Sequence, residues 1–304
     1  MSYRFALAIL GCLTMVSGCA TPQRPTPSLS ENRLNPPGLM TMEAVVHAIN
    51  GNNDRIPSLW AALNYSATIH DNGQVHSVSS DDGVMMYLRP AGFRLVGKKE
   101  FVGTVFDIGS NGREYWLEVV PGTNRMWWGK YADLANVNAD RLPIPIRPDL
   151  VMEVLPVAPI NPNFNEQPVP TMRYDNASDQ YVFVFNIKTP DRWLAEKEVA
   201  YDRATLRPWR VTLYDANGRP VLKAALSMDV RVQMPSGSPN DWPVVPGDYK
   251  LFFPDSGSTM EFSLKDVRLQ KRVGRVVLPN PASFRLPDVA GTDVRAIQIG
   301  GGGA

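Results

Sequence analysis

Three histidines and two cysteines are all that 304 residues offer to metal or imidazole chemistry. His70 and His76 flank Asp71-Asn72-Gly73, and Asp81-Asp82 follows closely. Imidazoles and carboxylates at such spacing are the raw material of a metal site. Two exposed imidazoles at a hairpin, however, read as solvated turn residues, and no metal is expected. Ser110 lies in Gly109-Ser110-Asn111-Gly112, which lacks the spacing of the Gly-x-Ser-x-Gly turn that presents a nucleophile. Glu114 and Glu118 recur at strand period, as a charged solvent face does, rather than as an acid and base pair. No glycine-rich turn leads from a strand into a helix to cradle a phosphate. The sequence therefore assigns no catalytic residue and no cofactor, and the chain is read as a non-enzyme.

Cys19 is the one residue whose surroundings specify a reaction. Arg4 supplies a short positive start, Phe5 to Val16 is an apolar run of secretory-signal length, and Ser17-Gly18 precede the thiol. Val16-Ser17-Gly18-Cys19-Ala20 resembles the bacterial lipobox, in which the cysteine becomes the first mature residue and is acylated. The run is too short for a transmembrane helix and is broken by Gly11 and Thr14. Cys12 is a poorer cleavage point, because only Phe5 to Gly11 would precede it. Residues 1–18 are thus expected to be a signal peptide, and a multiply acylated Cys19 would hold the chain stably at a bilayer. With Cys12 gone, no internal disulfide can form. Ala20, in place of Asp, points to the outer rather than the inner membrane, facing the periplasm.

The balance of 31 basic and 30 acidic residues, a formal charge of +1, argues against nucleic acid as a partner. A hydrophobic fraction of 44% with 20% charged residues is that of a globular chain. Residues 19–38 hold the acylated cysteine and five prolines among small polar residues, and read as an extended tether. Thr41 is a suitable N-cap for a helix through Asn50, carrying Met42, Val45, Val46 and Ile49 on one side. Strand signals then dominate. Leu63, Tyr65, Ala67 and Ile69 alternate with polar residues up to Asp71-Asn72-Gly73. Further strands are expected near 84–89, 93–97, 101–108, 113–120 and 125–131, with Ser110-Asn111-Gly112 as a hairpin turn. Residues 133–172 are proline-dense and predict a crossing segment with a short helix at 149–155 and no central strand. Strands resume at 181–187, 198–201 and 208–214. Leu222, Ala224, Leu226, Met228, Val230 and Val232 then mark the cleanest buried face in the chain. A shift of apolar register from Leu264 to Val267 suggests a bulge. Residues 291–304, ending in glycines, read as a flexible terminus. These elements sum to about a dozen strands and one or two helices, in one continuous antiparallel sheet that curves toward a barrel.

The order of these elements resembles the LolA/LolB family of bacterial lipoprotein carriers and receptors. The similarity is carried by the amino-terminal helix, Leu59-Trp60-Ala61, Arg89-Pro90 before Phe93-Arg94-Leu95, and Asp107-Ile108-Gly109-Ser110-Asn111-Gly112 leading to Tyr115-Trp116. Val199-Ala200-Tyr201-Asp202, Leu213-Tyr214-Asp215-Ala216-Asn217-Gly218 and Phe284-Arg285-Leu286-Pro287 extend it over roughly 41–290. The resemblance implies the fold class, α+β but mostly β: an antiparallel, unclosed half β-barrel of about 11–13 strands over 39–290, with one or two helices as a lid over an apolar cavity, and a lipid, acyl chain or lipidated protein as ligand. It also implies that Arg89 latches the lid; the residues alone read equally as a strand-end cation before a proline turn. Candidate cavity walls are Trp209, Val211, Leu213, Leu222, Leu226 and Met228, whose alternation fits core packing as well. Trp127 and Trp128 are candidates for membrane contact or for core. A monomer anchored through Cys19 is expected; the competing reading is a solid-packed scaffold that docks another envelope protein.

Overall fold

Thr41 does cap a helix: its side-chain oxygen accepts from the Ala44 amide at the start of α1 (Met42–Asn53). The computed structural model describes residues 38–71, 73–120, 124–134 and 146–299. Cys19, with the rest of the expected signal peptide and tether, lies outside the described residues. After α1 come β1 (Ser58–Asp71), β2 (Gln74–Leu88), β3 (Gly92–Lys99), β4 (Gly103–Ser110), β5 (Glu114–Val119) and β6 (Arg125–Lys130). Two short helices follow, α2 (Tyr131–Leu134) and α3 (Pro148–Glu153). The second half holds β7 (Val169–Asp175), β8 (Gln180–Lys188), β9 (Trp193–Asp202), β10 (Pro208–Tyr214), β11 (Pro220–Arg231), β12 (Val244–Phe253) and β13 (Ser258–Arg268). It ends with the small strands β14 (Lys271–Val273) and β15 (Val276–Leu278), a single 3-10 turn at Pro281–Phe284, and β16 (Arg295–Ile299).

Fourteen strands form one sheet in the order β16-β6-β5-β4-β3-β2-β1-β13-β12-β11-β10-β9-β8-β7. It is a meander folded back on itself, closed in the middle by β1 on β13 and open at β16 and β7. The architecture is therefore an open half-barrel, mostly β, with β16 on β6 as the one parallel strand pair among the described residues. Two strands of this sheet fall where none is expected. β7 starts at Val169 and contains Pro170, at the end of the proline-dense stretch from which only a central strand is excluded; it is tolerated because an edge strand need not donate on its outer side. β16 lies in the stretch read as a flexible terminus, where Ile297 and Ile299 pair with Trp127 and Gly129. The expected bulge exists: the β1–β13 register shifts between Trp60 and Ala62, and Asp266 takes φ 50°.

Along β1 the odd residues Leu59 to Ile69 face the concave side and are buried. The opposite, convex face is covered only in part. There Trp60, Met86 and Phe284 form a separate apolar cluster, so the chain after β15 is strapped over β1 and β2. Arg94 fixes the strap: it donates to Ser283 O (3.0 Å) while its Nε and Nη2 embrace the Asp107 carboxylate at 3.1 and 2.6 Å. Trp116 Nε1 adds a third donor to Asp107 at 2.9 Å. Its indole lies across Gly109, where any Cβ would overlap it. Asp107 is 2% exposed, and a carboxylate so buried persists because three donors satisfy it. Glu118 lies two residues from Trp116 on the same face. Burial first, and the neighbouring Asp107 second, push its carboxyl above the ordinary range, with Arg94 pulling the other way.

Two outcomes follow from this packing. The Tyr65 ring meets Phe106 at 5.2 Å, tilted by 34°, and occupies the space a Cβ at Gly97 would need. Gly97→Ala should therefore cost about 1–3 kcal/mol in urea denaturation. Glu118 holds its proton in the folded chain at pH values where the unfolded chain has lost it. Its contribution is thus complete below the ordinary value of 4.5 and lost as pH rises through the raised folded value. Glu118→Gln should leave stability near pH 4 unchanged and raise it at pH 7, as read by denaturation midpoints at both.

Candidate ligand-binding site

The concave face is a wall of large side chains, among them Tyr65, Phe106, Phe183, Tyr201, Tyr249 and Phe262, all buried. Tyr249 stacks on Phe262 at 4.5 Å and Phe183 meets Tyr201 edge-on at 5.7 Å. Burial pushes the Tyr65, Tyr201 and Tyr249 hydroxyls up, so all are neutral at physiological pH. What covers the wall is α1, through Val45, Val46 and Ile49, and the segment 146–160, through residues such as Ile146, Val151 and Val154.

Three asparagines near the end of α1 bind this cover together. Asn50 exchanges two hydrogen bonds with the backbone of Ile160, both 2.7 Å. Asn53 donates to the carbonyls of Pro156 and Ala158 at 3.0 Å. Asn52 donates to Val244 O at 2.9 Å and accepts from the Val244 amide at 2.8 Å. The first two join helix and segment into one lid; the third ties that lid to β12. At its start, α1 is preceded by the Met40 amide donating to Tyr181 Oη at 2.9 Å, on β8. In the sequence Asn50-Gly51-Asn52 reads as a helix stop, yet α1 runs on to Asn53.

Arg89 completes the fastening. Its Nη2 donates to Asn53 O (2.9 Å) and Ile56 O (3.3 Å), carbonyls at the C-terminal end of α1, and Nη1 lies 3.9 Å from Asp54. A guanidinium there meets orphaned helix carbonyls and the negative end of the helix dipole. Tyr87 stands beside it, its hydroxyl pushed up by burial and drawn down by Arg89.

Lid and wall do not match everywhere. Between residues 155–161 and strands β8 to β10 lies a cavity of about 360 Å³ lined by Leu155, Pro159, Ile160, Phe185, Val199 and Val211. A second, of about 390 Å³, lies between α3 and strands β9 to β11 and is lined by Leu150, Met152, Leu213, Tyr214 and Val221. Glu153 and Glu196 border both. At that border Lys197 donates to Glu153 at 2.8 Å, its ammonium 5.5 Å from the Phe185 ring.

The residues singled out in the sequence are distributed unevenly over this site. Val211 and Leu213 line the two cavities. Leu222 and Leu226 are buried in the adjoining core. Trp209 and Met228 do not belong with them, being 43% and 68% exposed. Met228 takes φ 58° opposite Gly247, which breaks the alternation of β11 and turns the side chain outward. Trp209 falls where the β9–β10 register shifts, between Pro208 and Arg210. Trp127 is not a membrane contact either: β5 and β16 flank it and it is 1% exposed, while Trp128 is half-buried on the convex face. Exposed apolar side chains include Phe101 and Val102 at the tip between β3 and β4, Val273 and Val276, and also Val75, Trp193 and Phe252 within strands. His70 and His76 sit in neighbouring strands, paired with Val75 and Ile69 rather than each other. Among the described residues no cluster of three His, Cys, Asp or Glu could hold a metal.

No family model matches this sequence, and no curated protein matches it. Solved structures do. A domain assigned to outer membrane lipoprotein sorting from Vibrio parahaemolyticus is 12% identical over 77% of this chain and 94% of its own, with a TM-score of 0.46. A LolA superfamily protein from Nitrosomonas europaea is 11% identical over 77% and 96%, with a TM-score of 0.42. A DUF1329 family protein from Desulfovibrio piger is 13% identical over 77% and 93%, with a TM-score of 0.44.

Replacing Arg89 by alanine removes two charge-assisted donors from the helix end. The expected cost is about 1.5–3 kcal/mol, with amide hydrogen exchange accelerated in 42–56 more than in β1 or β13.

Proposed function

We propose that this chain is a non-catalytic, lipid-anchored protein of the bacterial cell envelope that holds an acyl chain, free or as part of a lipid or lipidated protein, beneath its lid. The observation that carries the reading is the pair of cavities between segment 146–160 and β8 to β11. At about 360 and 390 Å³ each falls within the range of small-molecule sites. The larger has the Arg147–Asp149 ion pair and Asp215 in its lining; the smaller is walled mostly by hydrocarbon and aromatic groups, with charge at the border of Glu153, Glu196 and Lys197. Such a site suits a ligand recognised by loss of apolar surface from water rather than by hydrogen bonds. Eight methylenes buried there contribute about 6 kcal/mol.

The lid geometry supports the same reading. Hydrogen bonds from Arg89, Asn50, Asn52 and Asn53 hold it at the rim, each exchangeable for water at modest cost, so opening is opposed chiefly by its apolar contacts through Val45, Val46, Ile49, Val151 and Val154, which a bound acyl chain would replace. Arg89 is the latch in this scheme. Cys19, at the end of its apolar run, would place the domain at the periplasmic side of the outer membrane.

Ala158 lines the smaller cavity yet is exposed, so enlarging it fills the space without disturbing the core. The chain from Gly38 to Ala304 is one compact unit that contains every core residue described, and it can be tested alone. It should take up a fluorescent fatty acid, and Ala158→Trp should weaken uptake by about tenfold or more with an unchanged denaturation midpoint. Failure of the parent to take up any would make the concave wall a packed core and the domain a scaffold.

A further inference from the structure

The β14–β15 hairpin stands apart from the main sheet and has no role in the cavity. It is a two-stranded unit with the register Lys271 to Leu278, Arg272 to Val277 and Val273 to Val276, turned by Gly274 at φ 60°. Two strands of three residues are marginal on their own, so something must seat them. That is the base of the hairpin: the Lys271 ammonium lies 3.8 Å from the Trp60 ring centroid, and Leu278 packs on the Trp60, Met86 and Phe284 cluster.

Alternation puts Val273 and Val276 on the same side as Lys271 and Leu278. At the base this side rests on Trp60; at the tip nothing covers it, and the two valines are 53% and 51% exposed. Charge surrounds them. Between Lys265 and Leu278 the sequence holds Lys265, Arg268, Lys271, Arg272 and Arg275 against the single carboxylate of Asp266. This is a concentration of one sign in a chain that is otherwise balanced. Asp266 is engaged by Arg268 and lies 4.0 Å from Lys271. Arg272 and Arg275 are exposed and have no carboxylate partner among the described residues.

We propose that this hairpin docks the domain on an anionic phospholipid surface, with Arg272 and Arg275 meeting headgroup phosphates and Val273 and Val276 entering the interfacial layer. A bilayer suits the arrangement because it offers negative charge and hydrocarbon side by side over an area without fixed shape. A two-residue apolar tip with no groove needs no more. The proposal is independent of the acyl cavity.

The test is co-sedimentation of residues 38–304 with phosphatidylcholine vesicles containing none or 30% phosphatidylglycerol. Binding should require phosphatidylglycerol and fall steeply between 50 and 300 mM salt, on the order of the screening expected for surface charges. Arg272→Gln with Arg275→Gln should weaken it about thirtyfold, at roughly fivefold per cation. Val273→Ser with Val276→Ser should weaken it without changing the salt dependence. Both pairs lie outside the main sheet, and the far-ultraviolet circular dichroism of each should match the parent. Equal binding to both vesicle types overturns the proposal, as does binding that survives the double arginine change but is lost in Phe101→Ser, which would move the contact to the β3–β4 tip. Absence of any vesicle binding also overturns it and leaves the cations to an acidic protein partner.

Discussion

Everything in this domain answers to one constraint: a fourteen-stranded sheet whose concave face is almost wholly apolar has to be covered. The sheet remains open between β16 and β7, so it cannot bury that face against itself as a closed barrel would. Cover comes from one helix of 12 residues and an irregular, proline-rich segment, neither of which could stand alone. They hold because Asn50, Asn52, Asn53 and Arg89 satisfy backbone groups of the lid and rim at 2.7–3.3 Å. Polar side chains thus position an apolar interface.

The same constraint generates the cavities. Helical and irregular backbone cannot follow the curvature of twisted strands at every point, and the mismatch collects near β8 to β10, where Phe185 and Val199 face the prolines of the lid. Val211 and Leu213 continue that wall toward α3, whereas Leu222 and Leu226 are packed solid. The boundary between cavity and core therefore falls within β11, where Val221 lines the larger cavity and Leu222 and Leu226 do not. A regular pattern of apolar residues reports burial, and what lies opposite determines whether space is left.

On the convex side a second, smaller problem is solved by the chain's own end. Buried Asp107, with Arg94 and Trp116 around it, would be costly in isolation; as a fully donated carboxylate it ties β3, β4 and β5 to the strap through Ser283. The strap continues to β16, which pairs with β6 and encloses Trp127. That tryptophan looks like an interfacial residue in its sequence setting and is core because of a strand 170 positions away in the register from Trp127 to Ile297.

Strand period, turns and helix start were legible because they are local. Leu63 to Ile69 alternates because its own neighbours impose period two, Thr41 caps because its oxygen reaches three residues ahead, and the apolar run before Cys19 needs no partner to be read. Summing such signals yields one antiparallel sheet curving toward a barrel; its unclosed form is what the resemblance to the LolA/LolB family implied. β7, β16 and the β14–β15 hairpin were missed, the first two because an edge position and a distant partner overrule Pro170 and the glycine-rich tail, the last because three-residue strands carry no pattern. Met228 left its expected face through a positive φ that a methionine does not announce, and the asparagines of α1 showed their role only once Ile160, Pro156 and Val244 stood beside them. Local chemistry is written in adjacent residues; the choice between wall and core, latch and loose end, depends on contacts a hundred or more residues apart, which only folding brings together.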